Sequence, residues 1–225
     1  MMKTTIVTAF ALISCVFVAA LWAYDTPLDK QKIHEAYVLG QRNDKVTGDF
    51  LDHYVAQITE PQNGPHIAQI ELLTPYAQIV DLSRRKAADG YTEAQANQDY
   101  DLHGKTIHVN IVITLPAAYP QPDDSANAAA PPPASGTEKK AMNPENFWQN
   151  FKFQLKQNGK PISSRSINNQ PIHSTATNAT PAVLDGQNVW LEFDAKDVAS
   201  DLATVEVVTP EGKPIKAAFD LKKLR

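Results

Sequence analysis

The chain has 225 residues, of which 43% are hydrophobic and 20% charged, and 21 Lys+Arg against 25 Asp+Glu give a formal net charge of −4. That composition excludes a membrane-spanning helical bundle and a wholly disordered chain, and the length allows one or two domains with a real core. No long basic block is present to neutralise a phosphate backbone, so nucleic acid is not an expected partner.

Residues 1–23 carry the localisation signal. Lys3 precedes Ile6, Val7, Ala9 to Ile13 and Val16 to Ala23, a short positive start and an apolar run that ends in small residues, which predicts an export signal. Cleavage after Ala20 or after Ala23 meets the small-residue requirement. An uncleaved single-pass anchor is the alternative, because Thr4 to Ala23 approaches the length that crosses a bilayer. Leu12-Ile13-Ser14-Cys15 resembles a bacterial lipoprotein processing box, although the apolar Val16-Phe17-Val18 follows where a polar tether is usual. Cys15 is the single cysteine, so a chain cleaved behind it has neither a disulfide nor a thiol nucleophile. The expected location is the bacterial periplasm, cell envelope or exterior, with membrane contact only through an uncleaved N-terminus.

Past Asp25-Thr26-Pro27 the pattern turns helical. Ile33, Ala36 and Tyr37 share one face until Gly40 and Asn43-Asp44 stop the run. Val46, Phe50, Leu51, Tyr54, Val55 and Ile58 form a second stripe that Glu60-Pro61 ends. Two helices with one apolar side each predict a helical hairpin over 24–62, packed on a core supplied by the rest of the chain. His66 to Leu73 reads as a strand after Asn63-Gly64-Pro65. Thr74-Pro75 reads as an N-cap with proline at the first helical position, for a helix reaching about Ala88. Thr92 with Gln95 predicts a further capped helix to about Tyr100.

Lys105 to Pro116 holds the clearest alternation. Ile107, Val109, Ile111, Ile113 and Leu115 fall on one side of an extended chain, and Thr106, His108, Asn110 and Thr114 on the other. Such a half-buried strand needs others to cover its apolar side.

The character changes over 117–146, where Ala128-Ala129-Ala130-Pro131-Pro132-Pro133 and its polar flanks have little to bury, so a disordered Pro/Ala-rich insertion is expected. It reads as a spacer, with partner docking as the alternative. Beyond it, Phe151, Phe153 and Leu155 alternate with polar residues, and Asn158-Gly159 signals a hairpin into Pro161 to Ile167. Val189, Leu191 and Phe193 form another alternating run, and Thr204 to Thr209 with Ile215 to Leu221 closes the chain as a hairpin about Pro210-Glu211-Gly212. A mainly β fold follows: an immunoglobulin-like antiparallel sandwich of about seven strands over 63–225, without the cysteine pair of a true immunoglobulin domain.

Candidate sites are sparse. Asp99, Asp101, His103 and His108 are close in sequence, but their spacing matches no established metal-ligand pattern, so no metal or other cofactor is expected. Ser163, Ser164 and Ser166 near His173 supply the inventory of a hydrolase without a G-x-S-x-G elbow. Arg84-Arg85-Lys86 is the one tight basic cluster, either an anion-binding patch or a solvated helix end. Trp190 sits opposite Val189 and Leu191, where it either stacks on a partner or lies under a helix. Arg84, Arg85, Lys86 and Trp190 are therefore the expected interaction surface. The expected function is binding of a protein or glycan of the cell envelope without catalysis, and a secreted or periplasmic hydrolase of unrecognised type is the alternative.

Overall fold

The computed structural model describes residue 24 and residues 26–59, 64–116, 144–174 and 183–225. In chain order the helices and strands are α1 (Lys30–Arg42), α2 (Lys45–Asp52), β1 (Val55–Gln57), β2 (His66–Leu73), α3 (Pro75–Arg85), α4 (Glu93–His103), β3 (Thr106–Thr114), β4 (Lys152–Gln157), β5 (Lys160–Ile162), β6 (Ser166–His173), β7 (Leu184–Asp194), β8 (Leu202–Val208) and β9 (Pro214–Asp220). The fold is mostly β, with two antiparallel sheets ordered β1-β2-β3-β7-β6 and β5-β4-β8-β9. Nine strands are thus present among the described residues.

The alternation in β3 does what its sequence requires. Ile107, Val109, Ile111 and Ile113 are buried, and they join one apolar core with Leu191 and Phe193 of β7, Leu155 of β4, Val205 and Val207 of β8 and Phe219 of β9. Both sheets therefore bury their inner faces in one place. The 3-10 turn Pro144–Asn150 adds Phe147 to that core, so residues 144–146, expected as part of the insertion, have defined structure. The rest of the expected insertion, and the N-terminal segment with Cys15, lie outside the described residues. Among the described residues no helix is long and apolar enough to cross a membrane.

Local signals place the elements. The Asp29 side chain caps α1 through the Lys32 N–H, and Thr74 caps α3 with Pro75 at its first position. Thr92 and Gln95 make both contacts of a capping box at the start of α4. Asn158 and Gly159 turn β4 into β5 with φ of 50° and 75°, the positive angles that a tight hairpin turn needs. Gly186 of β7 lies so close to the Ile113 carbonyl that a side chain would strike it.

Two expected boundaries move. The second helix stops at Asp52 instead of running to Ile58, because Val55–Gln57 pairs with Gln69–Glu71 as the edge strand β1. There the backbone hydrogen bonds of a sheet outweigh a helical stripe. The expected run Pro161 to Ile167 divides between β5 and β6, and β6 continues to His173 with side chains largely exposed, so no apolar alternation marks it.

The helices build a second apolar cluster from Leu28, Ile33, Ala36, Leu51, Tyr76, Ile79, Val80 and Tyr100, among others, and Phe50 packs against both clusters. α1 packs chiefly on α3, where Gly40 allows close approach to the Val80 carbonyl. The α3 helix is tied to the first sheet by Gln78, whose Nε2 donates to the carbonyls of Leu73 (3.1 Å) and Thr106 (2.7 Å).

Candidate functional site

Residues paired across neighbouring strands point to the same side of a sheet, so the register assigns the outer face of the five-stranded sheet residue by residue. One row runs Glu71, Asn110, Trp190, Asn168 across β2, β3, β7 and β6. The next runs Gln69, Val112, Asn188, Gln170, and a third holds His108, Glu192 and Ser166. Carboxamides dominate this surface. Trp190 is half-buried and belongs to neither apolar cluster, whereas Trp148 packs against the core shared by the two sheets.

The hydrogen-bonding capacity of the face is incompletely used. Asn110 Nδ2 donates to Glu71 Oε2 at 3.4 Å, but Asn110 Oδ1 and Asn188 Oδ1 are buried without a hydrogen-bond partner. Buried polar atoms are ordinarily satisfied, so these two acceptors are hydrogen-bonding capacity that the fold itself leaves unused. Burial pushes the Glu71 carboxyl above the usual carboxylate range and Asp81 adds to this, while the Asn110 hydrogen bond, Arg85 and Arg84 oppose it.

The basic cluster flanks this face and is engaged internally. Asp81 takes Arg84 Nη2 at 3.1 Å and Arg85 Nε at 2.9 Å, and Lys86 Nζ sits 5.2 Å from the centre of the Tyr91 ring. Arg84, Arg85 and Lys86 are therefore a helix end whose charges have near neighbours. Trp190 is on another part of the sheet, so the expected interaction residues do not converge on one point.

A cleft of about 370 Å³ separates α3 from α4, with Asp81, Arg85, Lys86, Asp99, His103 and His108 among its lining. Sequence proximity thus did translate into spatial proximity for Asp99, His103 and His108, while Asp101 lines a neighbouring hollow with Glu192 and Arg165. No set of three or more His, Cys, Asp or Glu among the described residues is placed to hold a metal ion.

The His108 tautomer follows from its neighbours. Thr106 Oγ1 donates its one proton to the His103 carbonyl at 2.8 Å, so its 3.0 Å contact with His108 Nε2 requires Nε2–H to donate. Glu192 Oε1 lies 3.8 Å from the same nitrogen. Burial pushes the His108 pKa down, Glu192 pulls it back and His103 pushes it further down, so His108 is neutral at pH 7.

The serine and histidine inventory does not assemble about His173. Ser166 and His173 are at opposite ends of β6, roughly 23 Å apart at strand rise, and Ser163 and Ser164 precede that strand. What the sequence hid was the amide face, since β6 supplies two of its five carboxamides, Asn168 and Gln170. Only Asn110 and Trp190, each opposite an apolar run, pointed to it in advance.

No family model matches the chain, and no curated protein matches it.

Proposed function

We propose that this protein is an exported, envelope-associated binding module that takes a neutral, hydroxyl-rich glycan of the cell envelope on the outer face of its five-stranded sheet. In this reading residues 1–23 are a signal peptide or anchor. Residues 24–62 open with a helical hairpin docked on the core, and 63–225 form an immunoglobulin-like sandwich interrupted by a disordered insertion. The observation that carries the proposal is the row Glu71, Asn110, Trp190, Asn168 with Asn188 and Gln170 beside it.

Sugars present hydroxyls that both donate and accept, and C–H faces that stack on aromatic rings. Carboxamides match the first because each carries both donors and acceptors, and an indole matches the second. Asn110 Oδ1 and Asn188 Oδ1 lack partners in the fold, and a turn of either side chain toward the surface lets it accept from such hydroxyls. A charged ligand would be matched by clustered single-sign charge, which this face does not have.

Cosedimentation of the protein with purified cell-wall glycan tests the reading. The full chain is expected to pellet with the polymer, and Trp190→Ala is expected to lose tenfold or more in affinity, about 1.4 kcal/mol. Equal pelleting of Trp190→Ala and the unaltered protein would overturn it.

A further inference from the structure

We propose that β6 pairs antiparallel with β6 of a second copy, joining two five-stranded sheets edge to edge in a symmetric dimer. One edge of β6 has backbone groups free of the sheet. On the β3 side of β7 the Leu115 N–H donates to Asp185 O (2.8 Å) and the Ala195 N–H to Lys105 O (3.0 Å), so odd-numbered β7 residues bond to β3. Antiparallel ladders alternate. Even-numbered β7 residues therefore bond to β6, where their partners are Ser166, Asn168, Gln170 and Ile172.

The main-chain groups of Ile167, Asn169 and Pro171 consequently point away from the sheet, up to the register shift between Ile172 and His173. No described strand pairs with that edge. Such an edge is a template for another chain, and proteins blunt it with charge, with proline or with a bulge; here Pro171 and the shift at Ile172 lie toward one end and leave Ile167 to Asn169 regular. Ser166–His173 has no Asp, Glu, Lys or Arg, and its neighbour Arg165 is turned back onto β7, with its N–H on Glu192 O (2.7 Å) and its guanidinium 3.4 Å from Asp194. Pro171 occupies an outward position, so it removes no bond to β7 and only one donor from the free edge.

The sequence of the edge is self-complementary about Asn169. With Asn169 opposite Asn169 of a second copy, Ile167 faces Pro171 of that copy. Each copy then donates through Asn169 and Ile167, and the Ile167 carbonyl opposite the proline of the other copy is the one acceptor left without a ladder bond. Ile167 is 47% exposed in the single chain, and this register covers it with an apolar ring. On the outer face Asn168 comes opposite Gln170 of the second copy, so the carboxamide rows continue from one sheet into the other. The dimer stands independently of the glycan reading, because its evidence is backbone register and not side-chain chemistry.

Cysteine crosslinking separates this dimer from a monomer or from a different interface. In an antiparallel hydrogen-bonded pair the Cα atoms lie about 5.5 Å apart, inside the disulfide window of about 4.4–6.8 Å. In a Cys15→Ser background, Asn169→Cys of the full chain is expected to form a covalent dimer within minutes of mild oxidation. His173→Cys, as exposed but about 26 Å from its counterpart in this register, is expected to remain monomeric. Sedimentation velocity in density-matched detergent at tens of micromolar should give two chains for the unaltered protein and one for Asn169→Pro, with unchanged circular dichroism. A single-chain mass for the unaltered protein, or crosslinking of Asn169→Cys no faster than of His173→Cys, would overturn the proposal. So would capture of a foreign strand by a monomer through this edge.

Discussion

The outer faces of the two sheets solve the same problem in opposite ways. On the four-stranded sheet, Glu206 of β8 takes Lys156 Nζ at 2.6 Å and Lys216 Nζ at 3.2 Å, so the charges satisfy one another across β4, β8 and β9. On the five-stranded sheet, carboxamides and Trp190 stand in rows, and two side-chain oxygens have no partner. A face that closes its own interactions needs only water. A face that leaves acceptors open has capacity for a ligand, and the same contrast appears in its carboxylates. Lys156 and then Lys216, through their hydrogen bonds, hold Glu206 below the usual carboxylate range, whereas burial holds Glu71 above it.

The largest test of this contrast concerns which sides are outer. Phe193 is buried beside Glu192 and Asp194, and a one-residue slip of β7 would exchange every inner and outer residue. Phe193→Ala is expected to cost about 3–5 kcal/mol in urea unfolding. A cost below ~1 kcal/mol would mean that the faces are reversed.

The carboxylates come next and carry opposite signs. Glu206 has a depressed folded pKa, so its contribution is complete above its unfolded value of 4.5 and is lost as the pH falls through the folded pKa. Glu206→Gln should therefore lower the melting midpoint at pH 7, and the difference should vanish in acid. Glu71 has a raised folded pKa, so its charged form costs stability at pH 7 and the cost disappears as the pH falls through that raised value. Glu71→Gln should raise stability at pH 7 by less than about 1 kcal/mol, with the gain shrinking on acidification. Matching signs for the two variants at pH 7 would break the comparison.

The smallest stability effect belongs to Asn188→Ala. Its side-chain oxygen has no partner to lose, so unfolding should shift by less than about 0.5 kcal/mol while glycan retention falls several-fold. A large loss of stability with retention intact would make Asn188 a structural residue.

The legible parts of this fold were those whose sequence signals are local. The Ile107 to Leu115 alternation, the Thr92/Gln95 capping box, Thr74-Pro75 and Asn158-Gly159 each encode a geometry within a few residues, and each is present. The β1 strand was not legible because Val55–Gln57 continues a helical stripe and is extended only by pairing with β2. The β6 strand was not legible because a strand exposed on both faces has no periodicity to read. The amide face was hidden for the same reason. Its rows exist only after four strands have been placed side by side, and Asn110 and Trp190, each opposite an apolar run, gave the local signs of it.

The most direct measurement is the fluorescence of Trp190 in a Trp22→Phe, Trp148→Phe background during titration with soluble cell-wall glycan fragments. A saturable blue shift with protection from acrylamide quenching is the result that glycan seated on the amide face requires. An unchanged spectrum at concentrations where the same protein is retained on the polymer would show that the glycan binds elsewhere and contradict the proposal.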